Sequence, residues 1–307
     1  MKSIPHPIQY QGSKRILASA ILRYVPDSTA RFIEPFAGSA AMSIACAAAK
    51  KSATYWINDL NKPLAELLNL IVNSPLGVAA EYEQLWNAQH DEPEHFYQVR
   101  AEFNRTQSPY LFLYLLARCV KGSVRYNADG EFNQSPDKRR FGTRPNTMRG
   151  NVVGVSALLK GRTNFSSSDY RNLLADAKSS DVVYMDPPYQ GVCGKRDLRY
   201  FSGIAHDDFV AALDDLNSKG ISYLVSYDGR RGDKVFGESL PAELELTHLE
   251  LDAGRSSQST LLGRDETTYE SLYFSKTLSK RLGNKISSYR ESNVQQLALL
   301  QRASHYG

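Results

Sequence analysis

The sequence predicts an α/β protein whose core is a doubly wound, mostly parallel sheet. Short apolar runs alternate with segments of helical pattern, and each run ends in a polar turn. Alternation of this kind is typical of βαβ units, in which ligands bind at the carboxyl ends of the strands. A chain of 307 residues with 42% apolar content can bury the core that such a sheet needs. The four clearest runs are Arg31–Ile33, Thr54–Ile57, Val182–Met185 and Ile221–Ser226.

The pattern changes in the middle of the chain. After Pro75, two helical stretches, Pro93–Arg105 and Pro109–Val120, lead into a long polar segment rich in Gly, Asn and Arg. An excursion of this length favours an inserted subdomain over a structureless loop. Beyond Lys276 the chain is polar with a helical pattern. We therefore predict the two halves of one core at residues 1–74 and 163–278, an insertion at 75–162 and a helical tail at 279–307.

Positive charge is concentrated in the predicted insertion. Between Lys121 and Arg162, nine Lys or Arg residues stand against three Asp or Glu residues, a net charge of +6 within a chain whose net charge is +4. Neutralising backbone phosphates supplies most of the non-specific affinity for nucleic acid, so this excess fits a surface that tracks phosphates. On charge alone, a solvated basic loop is an equally good interpretation.

Composition and motifs exclude several classes of protein. No apolar run approaches the roughly 20 residues of a membrane span, and the first residues lack the apolar core of a secretory signal, so we expect a cytoplasmic protein. The three cysteines, Cys46, Cys119 and Cys193, form no CxxC pair and suggest neither a disulfide framework nor a zinc site. The six histidines show no metal-binding spacing, and no GxGxxG, Walker A or GxSxG motif occurs.

The most specific signal is the tetrapeptide Asp186-Pro187-Pro188-Tyr189, which directly follows an apolar run. By composition alone it is expected about once in a thousand chains of this length. An exocyclic amine on a nucleobase is a poor nucleophile because its lone pair is delocalised into the ring. The Asp186 carboxylate and the Pro187 carbonyl, on a backbone stiffened by two prolines, can accept the amine hydrogens and make that lone pair available. Tyr189 offers a ring on which an extruded base can stack.

A ligand-binding turn is predicted at Phe36–Ala40, between the first apolar run and an Ala-rich helix at Ala40–Lys50. Gly38 permits close approach of the backbone to a ligand, and the helix N-terminus favours a carboxylate. Asp59 ends the next strand 21 residues after Gly38. This matches the roughly 20-residue interval to the carboxylates that bind ribose hydroxyls in nucleotide-binding folds. An N-cap role for Asp59, at a helix starting near Asn61, stays open beside the ribose role.

With these motifs in place, the sequence resembles the Dam-like, D12-class DNA adenine N6-methyltransferases. The likeness runs from Gln9 to about Lys276. The order of cofactor turn, insertion and catalytic tetrapeptide is similar to that of the alpha group, whose target-recognition domain lies between the two motifs. The segments that carry the resemblance are Gln9–Lys14, Glu34–Gly38, Asn58–Asn61, Phe103–Asn104, Arg125–Asn127, Gly130–Asn133 and Asp186–Tyr189.

The resemblance implies S-adenosylmethionine as methyl donor, S-adenosylhomocysteine as product and no metal. Tyr10 and Lys14 would contact the methionine end of the donor, with Lys14 paired to its carboxylate. Asp59 would hold the ribose hydroxyls, and Asp169, with Phe165 nearby, would border the donor adenine. The cofactor residues that motif and resemblance together predict are Tyr10, Lys14, Glu34, Pro35, Phe36, Gly38, Asp59, Phe165, Asp169 and Asp186.

Double-stranded DNA is the implied partner, bound across the insertion. Arg125 has the bidentate geometry that reads a guanine edge, and the arginines after it are assigned to phosphates. The four residues before Arg125 differ from the corresponding stretch of Dam-type enzymes that read GATC, so the target site is not predicted. Arg255 is predicted in a separate loop that could contact DNA. A loop that is only solvated is nearly as good an interpretation of that segment. The predicted DNA contacts are Lys121, Arg125, Asn127, Asn133, Lys138, Arg139, Arg140, Arg144, Arg149 and Arg255.

The expected function is site-specific methylation of a flipped-out adenine at N6, in restriction-modification or in DNA marking by a prokaryotic host or phage. A cognate restriction endonuclease is the functional partner expected in the first case, and a monomer is favoured. Cytosine N4 in DNA and adenine in RNA are the nearest alternatives, although enzymes acting on cytosine more often resemble a Ser-Pro-Pro-Tyr form. A DNA-binding scaffold without activity is the rival from another class. The joint presence of Lys14, Gly38, Asp59 and Asp186 argues against it.

Overall fold

The computed structural model describes residues 4–188, 204–231, 234–236, 238–255 and 267–283. Its centre is one sheet in the order β3-β2-β1-β4-β5-β8-β7, with β6 paired to β5. The five strands from β3 to β5 are parallel, whereas β6, β7 and β8 are antiparallel to their neighbours. The strands are β1 (Thr29–Glu34), β2 (Ser52–Asn58), β3 (Thr163–Ser166), β4 (Val182–Met185), β5 (Ser222–Arg231), β6 (Lys234–Phe236), β7 (Thr247–Arg255) and β8 (Thr267–Phe274).

This topology confirms the predicted α/β core with a mostly parallel sheet. The four predicted runs fall within β1, β2, β4 and β5, except that Ile221 precedes β5. Strand order reverses between β1 and β4. From β1 the chain builds the sheet outward through β2 and β3 on one side, and it then crosses to β4 and β5 on the other side. Crevices at such reversals, at the carboxyl ends of the strands, are where open α/β sheets bind ligands.

Ten α-helices surround the described part of the sheet. Four of them, α3, α4, α6 and α7, have Pro in the first turn, where the missing N–H costs no helical hydrogen bond. The helices are α1 (Ala18–Ile21), α2 (Ala41–Ala48), α3 (Lys62–Asn73), α4 (Pro75–Ala88), α5 (His95–Thr106), α6 (Pro109–Arg118), α7 (Pro145–Leu159), α8 (Tyr170–Ala175), α9 (His206–Ser218) and α10 (Lys276–Leu282).

The predicted insertion contains more helix than the two stretches that the sequence predicts. The stretches predicted at 93–105 and 109–120 are α5 and α6, but α7 lies within the segment described above as polar and rich in Gly, Asn and Arg, where no helix was predicted. Its buried residues, Met148, Val152, Val155 and Leu159, recur at helical spacing. The glycines and polar residues between them hid that period. Helix α7 packs on α2 and α3, α6 packs on α3, and α5 packs on α6. All of these helices contribute to one hydrophobic cluster.

The two faces of the sheet carry separate hydrophobic clusters. Phe32, Tyr184 and Leu272 belong to the cluster under the insertion helices, and the alternate strand positions Ile33 and Val183 belong to the cluster under α8 and α9. This alternation follows from the pleat, which points successive side chains to opposite faces. Cys46 and Cys119 are buried free thiols within the first cluster.

Within the described ranges, no single helix is both long enough and apolar enough to cross a membrane. The pair α3 and α4 meets those measures only when taken together across a bend of 116°. Tyr189, Cys193 and the tail beyond Gly283 lie outside the described residues.

Candidate active site

A cavity of about 310 Å³ lies at the carboxyl ends of β1, β2 and β4. It brings together segments that are far apart in the sequence, and nearly all of them belong to predicted motifs. Its walls include Tyr10–Lys14, Glu34–Ser39, Asn58–Asn61, Ser168–Arg171 and Asp186–Pro188. Asp186–Pro188, from the tetrapeptide predicted to be catalytic, and the predicted cofactor turn therefore open into the same space.

The turn after β1 is shaped by a close contact with the N-terminal segment. Gly38 has φ +50°, and a Cβ built on it would lie 3.1 Å from Cε1 of Tyr10. Ala40, also in the left-handed region at φ 54°, begins α2 as its N-cap. The hydroxyl oxygens of Ser13 and Ser39 are 2.8 Å apart and join the same two segments. Tyr10 and Gly38 thus form one continuous surface.

Asp59 organises the turn at the end of β2 with both carboxylate oxygens. Oδ2 accepts the amide hydrogen of Gly38 at 2.8 Å, and Oδ1 accepts that of Asn61 at 2.9 Å. Burial raises the pKa of Asp59, and the two amide hydrogen bonds oppose that rise. The N-cap of α3 is Asn61 rather than Asp59, so the N-cap alternative for Asp59 is wrong.

Asn58 fastens the ends of three neighbouring strands. Its Nδ2 group donates to the carbonyls of Pro35 at 2.9 Å and Ser168 at 3.0 Å, and its Oδ1 accepts from Ser166 Oγ at 2.8 Å. Asn58 is 1% exposed, so these bonds satisfy an otherwise costly buried amide. The sequence motif named this residue but gave no indication of this role.

Glu34 is buried at the end of β1 and caps α2 from outside the helix. Its Oε2 atom accepts hydrogen bonds from the amide and the hydroxyl of Ser43, at 2.9 and 2.5 Å. Burial raises the pKa of Glu34 to about 8, and the charge of Asp186 contributes in the same direction, while the Ser43 and Met42 hydrogen bonds oppose the rise. The surroundings of Glu34 therefore favour its protonated form.

Lys14, which lines the cavity, lies between two carboxylates. Its Nζ atom is 3.1 Å from Oδ1 of Asp186 and 3.0 Å from Oε2 of Glu270 on β8. Lys14 is 7% exposed. The sequence predicted Lys14 and Asp186 but missed Glu270, because no motif surrounds that residue in the sequence.

Another part of the wall is formed by the start of α8 and the turn before it. Asp169 is the N-cap of α8, and Arg171 donates to both of its carboxylate oxygens at 2.9 Å, which lowers the pKa of Asp169. Phe36 packs on Tyr170 with ring centroids 5.1 Å apart. Phe165, predicted beside Asp169, instead packs against the core cluster and is not among the residues that line the cavity.

A hairpin of the predicted DNA-binding segment rises beside the cavity. Tyr126 pairs with Phe132, Asn133 donates its amide hydrogen to the Arg125 carbonyl at 3.0 Å, and Asn104 bonds the backbone of Phe132 through both side-chain atoms. The Tyr126 hydroxyl accepts a hydrogen bond from Asn61 at 2.9 Å. The hairpin is therefore fixed directly to the end of β2.

Asn127 serves the turn of this hairpin rather than facing outward alone. Its Oδ1 atom accepts the amide hydrogens of Asp129 at 3.0 Å and Glu131 at 2.8 Å. Its Nδ2 group donates to the Glu131 carboxylate at 3.0 Å. Arg125 and Asn133, in contrast, are exposed.

The basic loop, residues 137–144, is held against α4 and α6. Arg118, 8% exposed, donates through Nη1 to the carbonyls of Asp137 and Arg140. Tyr82 donates to the carbonyl of Thr143 at 2.6 Å, and Gln89 donates to that of Phe141 at 3.2 Å. The predicted DNA contacts exposed on or around this loop are Lys121, Lys138, Arg139, Arg140, Arg144 and Arg149. Arg255 ends strand β7 rather than lying in a loop.

Comparison with known proteins identifies the family of the chain. The profile of the family described as D12 class N6 adenine-specific DNA methyltransferase matches residues 10–252, which is more than half of the chain. The chain belongs to this family. The matched range includes the Tyr10 segment, the Gly38 turn, Asp59, the hairpin and Asp186, whereas Glu270 lies beyond it.

Relatives of the D12-class chain come from phage and bacteria. The DNA N-6-adenine-methyltransferase of Escherichia phage P1 is 28% identical over 239 residues, 72% of this chain and 29% of the phage protein. The DNA adenine methylase of Serratia marcescens is 29% identical over 186 residues, 59% of this chain and 66% of that protein. The Type II methyltransferase M.FokI of Planomicrobium okeanokoites is 24% identical over 277 residues, 86% of this chain and 42% of that protein. The chain thus spans less than two thirds of the length of these relatives.

Proposed function

We propose that this D12-class protein transfers a methyl group from S-adenosylmethionine to the N6 amine of an adenine at a specific site in duplex DNA. The observation that carries the proposal is that the Asp186 carboxylate and the Gly38–Asp59 turn line one cavity. The same cavity therefore offers acceptors for an amine and a glycine turn suited to a nucleoside with an amino-acid tail.

The chemistry of the lining suits a cationic donor. The lining contains five carboxyl groups and two cations. The acids are Glu34, Asp59, Asp169, Asp186 and Asp208, and the cations are Lys14 and Arg171. Even without Glu34, the carboxyl groups of the lining outnumber its cations by four to two. When bound, S-adenosylmethionine supplies an electrophilic methyl group on a positively charged sulfonium. The residues that would hold it are Tyr10, Lys14, Glu34, Pro35, Phe36, Gly38, Asp59 and Asp169.

The protein's part in the transfer is to orient the amine. Asp186 and the Pro187 carbonyl accept its hydrogens, which keeps the nitrogen lone pair directed at the donor. Lys14, beside Asp186, holds that carboxylate in place. Catalysis then rests on positioning and on preorganised acceptors rather than on a strong base, and Tyr189 is the expected stacking surface for the flipped adenine.

DNA would bind across the hairpin and the basic loop. Arg125 and Asn133, exposed and opposite each other on the hairpin, are suited to base edges, while the cations of the loop are suited to phosphates. Because Tyr126 is bonded to Asn61, which also lines the cavity, a duplex held on the hairpin lies close to the catalytic end. Such an enzyme fits restriction-modification, with a cognate endonuclease, or DNA marking.

The test is to incubate the purified protein with S-adenosylmethionine and unmethylated plasmid DNA, digest the DNA to nucleosides and analyse them by mass spectrometry. We expect N6-methyladenine, with Asp186→Ala as the inactive control. N4-methylcytosine would change the substrate base while keeping the mechanism. Absence of any methylated nucleoside, with the donor bound, would contradict the proposed activity on DNA.

A further inference from the structure

Glu270 faces the ammonium group of Lys14 from a part of the chain that the family profile does not cover. Lys14 is nearly inaccessible to solvent, and the same Nζ atom lies within 3.1 Å of Asp186 and 3.0 Å of Glu270. Both carboxylates are themselves largely covered, with side-chain exposures of 20% and 26%. The ammonium group of Lys14 is thus shared by two carboxylates, and one of them, Asp186, belongs to the tetrapeptide predicted to be catalytic.

The position of Glu270 is set by an irregularity between β5 and β8. The pairing register shifts between Ser226 and Gly229, and Gly229 stands opposite Glu270 after that shift. A Cβ built on Gly229 would lie 2.6 Å from the carbonyl oxygen of Tyr269, so the strands approach too closely for a larger residue. Irregularities of this type change the direction of a side chain and occur beside active sites. Here the one on β5 lies directly opposite Glu270, the residue that contacts Lys14.

The reason for a second carboxylate follows from what Asp186 must do. To orient an amine, Asp186 has to present acceptor lone pairs to the substrate. A buried ammonium with Asp186 as its one carboxylate would bind that group tightly, because charges in a poorly solvated site interact strongly. With Glu270 present, the positive charge of Lys14 is shared, and Asp186 keeps acceptor capacity for the amine.

We infer that Glu270 is a positioning residue for methyl transfer: it holds Lys14 so that Asp186 remains available to the substrate amine. This inference rests on the proposed function. It assigns Glu270 no contact with the donor or the DNA.

The first experiment measures single-turnover methyl transfer at saturating S-adenosylmethionine and DNA. Glu270→Gln keeps the shape of the side chain and removes its charge, and we expect the rate to fall about 10- to 100-fold, with the dissociation constants for donor and DNA little changed. Glu270→Asp should recover part of the rate. Glu250→Gln, on the adjacent strand β7 and exposed, is the matched control and should transfer at the wild-type rate. A wild-type rate for Glu270→Gln would overturn the inference.

A second experiment needs neither donor nor DNA. Thermal unfolding midpoints are compared for Lys14→Met, Glu270→Gln and the double variant. If Glu270 acts through Lys14, the double variant loses less stability than the sum of the single losses, because the second change removes a partner that is already gone. Additive losses would overturn the inference. If the wild-type protein transfers no methyl group, the proposed function fails, and this cycle still decides whether the two residues are coupled.

Discussion

Asp59 accepts the amide hydrogen of Gly38 at 2.8 Å across 21 residues of sequence. The interval first indicated a ribose-binding carboxylate, and the structure shows that the same carboxylate also builds the turn. The left-handed backbone of Gly38, the ring of Tyr10 and the end of β2 are therefore one unit. A change at any of them is expected to alter the shape of the cavity.

Gly38→Ala is expected to weaken binding of S-adenosylmethionine about tenfold or more and to cost about 1 to 2 kcal/mol of stability. The added Cβ would press on Tyr10 at 3.1 Å, in a backbone conformation that favours glycine. Calorimetric titration and urea unfolding measure the two effects. Gly161→Ala is the control, since Gly161 has φ +79° with nothing within 4 Å of the added Cβ. Equal loss of donor affinity in both variants would refute the role of the Tyr10 contact.

Asp186→Asn is expected to lower the methyl-transfer rate by about 100-fold or more while changing donor affinity only slightly. The amide keeps the size of the side chain but offers one acceptor oxygen fewer and no charge to Lys14. Single-turnover rates and donor titrations give the comparison, with the exposed Asp207→Asn as control. Loss of donor binding together with activity would mean that Asp186 serves mainly to hold the cofactor.

Glu34 is expected to make stability depend on pH. Its pKa of about 8 in the folded protein lies above the ordinary value of 4.5, so the folded chain binds this proton more tightly than the unfolded chain. The free energy of unfolding should therefore fall as pH rises from about 4.5 to about 8 and level off above that range. Glu34→Gln should remove this contribution, so that the variant gains stability relative to wild type at pH 8. The free energy of unfolding of both proteins is measured by urea unfolding from pH 5 to 9. The same change with pH in wild type and variant would contradict the assignment.

Arg118→Met is expected to weaken DNA binding about tenfold and to cost about 1.5 to 3 kcal/mol of stability. The buried guanidinium holds the basic loop through the Asp137 and Arg140 carbonyls, and a methionine cannot donate to them. Donor affinity should stay unchanged because Arg118 does not line the cavity. Fluorescence anisotropy with a labelled duplex measures the effect, and the exposed Arg105→Met is the control. DNA affinity at the wild-type level would show that the loop is dispensable.

Arg139 and Arg125 should differ in how they contribute to DNA binding. Arg139→Ala is expected to weaken all duplexes alike and to reduce the slope of log affinity against log salt by about 1. Arg125→Ala should mainly reduce the preference for the target sequence, by about 1 to 3 kcal/mol. Titrations with target and unrelated duplexes at several salt concentrations separate the two effects. Lys219→Ala, exposed at the C-cap of α9, is the control. Identical behaviour of the two arginine variants would contradict the division between base and phosphate contacts.

Sequence motifs and hydrophobic periodicity predicted much of the local structure. The strand before Asp186 and the turn at Gly38 could be found because short apolar runs and small residues carry their meaning within a few positions. Helix α7 was missed although its apolar residues recur at helical spacing, since Gly150 and Gly154 interrupt the pattern. The resemblance assigned Phe165 to the border of the donor adenine together with Asp169, whereas the cavity is lined by Asp169 and not by Phe165.

By itself, the sequence determined the class of fold, the order of the motifs and the residue types at the centre of the site, because these depend on local pattern and on chemistry carried by adjacent residues. Only the tertiary structure decided which distant groups meet. Lys14, Asp186 and Glu270 converge through the sheet topology and an irregularity at Gly229, and Arg118 holds the basic loop through backbone carbonyls. Such contacts depend on strand register and on backbone groups common to every residue, so no side-chain pattern in the sequence announces them.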